Sequence, residues 1–248
     1  MKRFESRLIF GVLVALLVMT GCNINSSVEI ADGARHDGDA NTINGSVRIG
    51  DDAVVQGDVG NVNGSIRIGS DATVGEVFNV NGSIGIGSGS SSRSVESVNG
   101  SIALSDDVAV DGDVATVNGN INGGLSVQID GEIETVNGTV SMNTGSQVAE
   151  GISTANGRIR LTGTRAASLT TLNGSIDLRD GTRIDGQVMV KEGSNSNSGR
   201  PEIHIGQNVE VAGPLIFEKD VDLYIHESAR VGEIQGAEAR PYSEREDD

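Results

Sequence analysis

From residue 24 onward, apolar β-branched residues alternate with polar or small ones in short runs, and the runs recur at a nearly constant interval. Each recurrence opens on a motif close to Val-Asn-Gly-Ser-Ile, whose asparagines are Asn25, Asn44, Asn63, Asn81, Asn99, Asn118, Asn137, Asn156 and Asn173, spaced 17 to 19 residues apart. Three residues after each asparagine stands Val or Ile, from Val28 and Val47 through Ile66, Ile102 and Val140 to Ile176, with no polar exception. Two positions further on, a second apolar column runs from Ile30 to Leu178 and fails only at Gly123. Four residues before the asparagine a third runs from Ala40 to Leu169, and a weaker one includes Ala53, Val55, Val108 and Val110. Period-two alternation in stiff, strand-favouring residues predicts about three short strands per repeat.

A repeat of this length with fixed columns is the signature of a solenoid. Asn-Gly also favours two-residue hairpin turns, so an antiparallel meander competes. Like residues recurring at one repeat spacing favour identical strands stacked in parallel. The predicted fold is therefore all-β, a single-stranded parallel β-helix of about eighteen to nineteen residues per coil and roughly eleven coils. At ~4.8 Å per strand this makes a rod on the order of 50 Å long. The variation in repeat length falls at corners marked by Gly-acid pairs such as Gly57-Asp58 and Gly112-Asp113. The organisation expected is a leader over 1–21, a solenoid over 22–236 interrupted by a polar loop at 191–200, and an acidic disordered tail over 237–248. Phe217, Tyr224 and Tyr242 fall near the C-terminal end, where larger residues suit a coil that closes the core.

Composition sharpens this. Glycine is abundant at 35 of 248 residues, aromatics make up 2%, and tryptophan is absent, so the glycines serve corners and the interior is expected to be too narrow for bulky rings. The formal net charge is -17, and residues 1–21 contribute +2, leaving -19 for the remainder. Such a balance disfavours nucleic acid and anionic membrane surfaces, whose binding is driven by Lys and Arg.

At the N-terminus Lys2, Arg3 and Arg7 precede an apolar run from Leu8 to Met19, too short for the ~20 residues of a spanning helix and arranged as a secretory signal. The chain's one cysteine, Cys22, follows Gly21 directly. This resembles the bacterial lipoprotein signal, which implies cleavage before Cys22, lipidation of it, including palmitate, and membrane attachment through it. Asn23 rather than Asp follows the cysteine, which by resemblance to enterobacterial sorting rules implies the outer membrane.

Candidate chemistry is sparse. The repeated asparagines either form a ladder of side-chain amides or supply left-handed turn residues. Several also match the N-glycosylation acceptor pattern, for which coil-spaced recurrence offers a structural explanation. His204 and His226 alternate with apolar neighbours and are expected on an outer strand face, and His36 is the only other histidine. The pairs Asp51-Asp52 and Asp106-Asp107 occupy equivalent corners, where solvation is favoured over calcium binding. No catalytic residues, cofactor or metal site is assigned. A hexapeptide-repeat acyltransferase and a polysaccharide-acting β-helix enzyme are the enzymatic alternatives.

The recurrent VNGSI and GDV units resemble those of a broad group of bacterial adhesin-like repeat proteins of unknown function. GDDAVVQGDV and IHIGQNVEVAG are similar to the bactofilins, polymer-forming cytoskeletal β-helix proteins. Together these resemblances span residues 24 to about 236. With the lipoprotein-like Cys22, the unbroken repeat and the lack of a catalytic cluster, the expected protein is a non-enzymatic, lipid-anchored envelope protein, structural or adhesin-like. The alternative they imply is a self-assembling scaffold, its partners being further copies joined end to end.

Overall fold

The computed structural model describes residues 25–193 and 199–243. Among these residues there is no helix, and the strands stack as a parallel β-solenoid of about 11 turns. Each regular coil has three sides. The first carries a five-residue strand ending on the repeated asparagine, such as Val59–Asn63 or Val114–Asn118. The second carries a three-residue strand such as Ile66–Ile68 or Ile102–Leu104. The third carries a two-residue strand such as Val54–Val55 or Ala109–Val110. The second sides form one twelve-stranded sheet, Val28–Ile30 through Ala239–Tyr242.

Register explains why the columns are invariant. Val47, Ile66, Ile84, Ile102, Ile121, Val140, Ile159, Ile176, Ile203 and Leu223 are successive Cα partners in one unbroken column. All ten are 0 or 1% exposed. Burying such a side chain contributes about 1.5–3 kcal/mol relative to leaving it in water. Backbone groups are satisfied between coils, as where the Val47 N–H donates to Ser65 O and the Ile66 N–H to Ser83 O, both at 3.0 Å. No single coil holds these bonds, so stability belongs to the stack. The weaker column is also interior: Ala53, Val55, Val108 and Val110 are each at most 1% exposed.

At Gly123 the apolar column does not collapse, because Met142 of the next coil, its strand partner, reaches into the space. A Cβ there would lie 2.4 Å from Met142 Cε. The flexible thioether fills the irregular gap. Ile176 pairs with Ile203 and Val190 with Phe217, so the residues between Val190 and Glu202 are spliced out without loss of register. Within that expected loop, residues 191–193 and 199–200 carry no strand, and 194–198 lie outside the described residues.

Two expectations change. Phe217 is 4% exposed and lies in the core, so the interior does admit a ring toward its C-terminal end. The solenoid also runs past residue 236. Ala239–Tyr242 adds a further strand, pairing Leu223 with Ala239 and His226 with Tyr242. An edge strand is exposed on its outer face, so a charged sequence there is compatible with pairing.

Candidate functional site

The asparagine corner is built from the repeat itself. Asn44 Nδ2 donates to Asn25 Oδ1 at 2.8 Å, Asn63 to Asn44 at 2.9 Å, Asn81 to Asn63 and Asn99 to Asn81 at 3.1 Å. The chain continues through Asn118 and Asn137 at 2.9 Å, Asn156 at 3.0 Å and Asn173 at 2.9 Å, always onto the coil before. At the far end Lys219 Nζ donates to Asn173 Oδ1 at 2.9 Å. Of these nine only Asn25 has a positive φ, so the ladder, and not a left-handed turn, is what the repeated residue supplies. Identical orientation lets each amide polarise the next. Every amide nitrogen from Asn44 to Asn173 is thereby committed as a donor within the stack.

A second polar column, which the sequence reading did not single out, lies two residues before each asparagine. Thr42, Asn61, Asn79, Ser97, Thr116, Thr135, Thr154 and Thr171 are all 2% exposed or less. Asn61 Nδ2 donates to Gly45 O and Asn79 Nδ2 to Gly64 O at 2.9 Å. Thr116 Oγ1 donates to Gly100 O at 3.1 Å and Thr135 Oγ1 to Gly119 O at 3.3 Å. Each of these four pairs a corner carbonyl that the chain's sharp turn leaves without a ladder partner, whereas Ser97 Oγ and Thr154 Oγ1 have no hydrogen-bond partner and Thr171 Oγ1 accepts from the Gly174 N–H. The signal was available as an all-polar column at an inward-facing parity.

The aspartates divide their roles. Asp51 Oδ1 accepts from the Ser70 N–H and Asp106 Oδ1 from the Leu125 N–H, both at 2.7 Å, each tying its corner to the next coil. Their neighbours Asp52 and Asp107 take the left-handed turn, with φ of 57° and 59°. Asp58 and Asp113 do at the Gly-acid corner what Asp51 does, accepting from the Glu76 and Glu132 N–H groups at 3.0 and 2.9 Å. Among the described residues no group of three acidic, His or Cys side chains is placed to hold a metal.

A depression of about 560 Å³ lies on the outer face of the twelve-stranded sheet toward its C-terminal end and is lined by Arg158, Arg160, Asp177, Arg179, His204 and Tyr242, among others. Asp177 accepts from Arg179 Nε and Nη2 at 2.9 and 2.7 Å, and Arg160 Nε stands 3.5 Å away. Burial alone would raise the Asp177 carboxyl, but the Arg179 hydrogen bonds and the charges of Arg179 and Arg160 outweigh it and hold it below the usual carboxylate range. A carboxylate chelated in this way is poorly suited to accept or deliver protons at neutral pH.

His204 is half-buried on this outer face as expected, stacked on Tyr224 with centroids 4.7 Å apart, and Arg240 covers the same ring at 5.7 Å. His226 departs from expectation. It has the outward parity but is only 6% exposed, edge-on to Tyr242 at 5.2 Å, with Nδ1 2.8 Å from Ser228 Oγ. His36 lies at the other end of the rod, its Nε2 3.2 Å from Asp39 O. The three histidines therefore form no common site. Cys22 and the leader before it lie outside the described residues.

The fold defines the protein as a single-stranded parallel β-solenoid with a polar amide spine. No family model, curated protein or solved structure matches the chain.

Proposed function

We propose that the chain is a non-enzymatic, lipid-anchored protein of the cell envelope, attached to the outer membrane through Cys22, whose rigid rod presents its faces as a structural or adhesin-like surface. The observation that carries this reading is how close to Cys22 in the sequence the amide ladder lies. Asn25, three residues beyond Cys22, is already the first rung of the amide ladder. A lipid on Cys22 would hold the solenoid against the bilayer with almost no tether. The chelated state of Asp177 supports a binding over a catalytic role for the depression it lines. Fractionation and palmitate labelling of cells expressing wild type and Cys22→Ala test it. Labelled protein in the outer membrane, lost in the variant, is expected. Unlabelled wild type recovered from the cytosol overturns it.

A second reading, end-to-end assembly, draws on the state of the two ends. Val28 and Ile30 at one end and Val231 and Ile234 at the other are only partly buried, in contrast to the sealed core between them. Solenoid ends of this kind are templates for strand addition. Electron microscopy of the purified chain decides it: filaments support assembly, and uniform monomers at high concentration remove it.

A further inference from the structure

The negative charge of this protein is not spread evenly. Segments 44–50, 63–69, 81–87, 99–105, 118–124, 137–143 and 156–162 contain four arginines, Arg48, Arg67, Arg158 and Arg160, and neither Asp nor Glu. These segments supply seven consecutive strands of the twelve-stranded sheet, stacked in register. At the usual strand spacing they make a strip ~29 Å long. In a chain that carries -19 in all beyond the leader, this one strip has a net charge of +4.

Its relief matches its charge. The outward residue on successive strands is Arg48, Arg67, Gly85, Ala103, Asn122, Ser141 and Arg160. Four small residues therefore floor a shallow trough with arginines at both ends. Along the asparagine side the rungs are hydroxyls and amides, from Ser83 and Ser101 to Asn120 and Thr139. On the opposite edge stand the corner carboxylates Asp51, Asp71 and Asp106. Among the described residues Arg48, Arg67 and Arg158 make no ion pair, and Arg160 only shares an Asp177 already chelated by Arg179. Arg160 Nε is buried without a hydrogen-bond partner.

We propose that this strip is the recognition face of the rod and binds an acidic polysaccharide lying along the solenoid axis. Guanidinium groups take carboxylates in paired hydrogen bonds, and the serine, threonine and asparagine rungs both donate to and accept from sugar hydroxyls. The acidic corner repels the chain from one edge and so fixes its track toward the asparagine side. Nucleic acid fits less well, because the strip has no aromatic side chain on which a base could stack and only four cations to meet a dense phosphate backbone. This deepens the reading of the protein as a surface-presenting rod and rests on it, but it does not require the anchor.

Calorimetric titration of the full chain in detergent tests it, using three probes: an oligogalacturonate, its methyl-esterified counterpart and a single-stranded DNA of equal length. The free acid should bind, and esterification or the combined variant Arg48→Gln, Arg67→Gln, Arg158→Gln, Arg160→Gln should each weaken binding by about tenfold or more, with affinity falling as salt rises. Arg230→Gln, away from the strip, should bind as wild type. Circular dichroism and the thermal midpoint establish that the fourfold variant is folded. No binding of the free acid, equal binding of ester and acid, full affinity in the folded fourfold variant, or tighter binding of DNA overturns the proposal. Because no membrane enters the titration, these outcomes are separate from those of the Cys22 fractionation.

Discussion

Asn118 donates its amide N–H to Asn99 Oδ1 at 2.9 Å while its own Oδ1 accepts from Asn137 at 2.9 Å, so one side chain closes two coil-to-coil bonds in opposite roles. An amide can do this because it carries donor and acceptor on one rigid plane. Neither Asp nor Ser at this position reproduces both ends with the same reach.

Asn118→Ala therefore removes two bonds at an exposed corner, and a loss of about 1–2 kcal/mol is expected. Asn118→Asp gives a different signature. Its ionised carboxylate faces Asn99 Oδ1 with no donor, whereas the protonated acid can donate. The folded state thus raises this carboxyl above its unfolded value. The variant should approach wild type at low pH and lose stability as pH rises through the folded value. Urea midpoints of both variants between acidic and neutral pH check this, and a pH-independent deficit for Asn118→Asp would count against the ladder as drawn.

The buried polar column makes a contrast within one structural position. Thr116 Oγ1 pairs Gly100 O, while Ser97 Oγ, one coil earlier, is buried with no hydrogen-bond partner. Thr116→Val keeps the shape but orphans a carbonyl, so about 1–3 kcal/mol should be lost. Ser97→Ala removes an unpaired hydroxyl and should be neutral or stabilising. Thermal midpoints of the two variants give the answer, and equal losses would mean the column acts through packing alone.

The two columns also mark where sequence reasoning stops. The column that holds Ile102 and Val140 was legible because burial in a solenoid repeats the same demand at the same position in each coil. The role of Thr116 was hidden because its partner, Gly100 O, becomes its neighbour only once the coils are in register. The burial of His226 was hidden for a related reason. The residue that covers it, Tyr242, lies in a stretch whose charge read as a tail, although charged residues are compatible with the outer face of a last strand. The arginine strip was likewise obscured by a net charge that averages over all sides of the rod.

Glycine has distinct meanings at two positions of similar sequence. Gly64 has φ of 142°, and a Cβ on it would lie 1.8 Å from Gly45 O, whereas Gly85 faces open space with an ordinary backbone. Gly64→Ala forces the corners of two coils apart and should cost well over ~1 kcal/mol, while Gly85→Ala should stabilise by up to ~1 kcal/mol by restricting the unfolded chain. Hydrogen exchange resolves the first effect in space, because the faster exchange should be confined to the coils bearing Gly45, Gly64 and Gly82. Uniform acceleration along the rod would show that the solenoid opens as one unit.

Two carboxyls should move stability in opposite directions with pH. Asp177, held below the usual range by Arg179 and Arg160 against its burial, contributes stability that is complete above its unfolded value and is lost as pH falls through the lower folded one. Asp177→Asn should therefore be destabilised at pH 7, with the gap to wild type closing below about pH 4. Glu96 is raised, by burial first and then by the neighbouring charges of Glu76 and Asp113. Its folded state favours the protonated acid, so ionisation above the folded value opposes folding. Glu96→Gln should be more stable than wild type at pH 7, and that advantage should vanish as pH drops below the ordinary carboxyl range of about 4. Urea titrations of the two variants across acidic and neutral pH should give difference curves of opposite sign. Two curves of the same sign would mean that one of the local electrostatic arrangements differs from the one described.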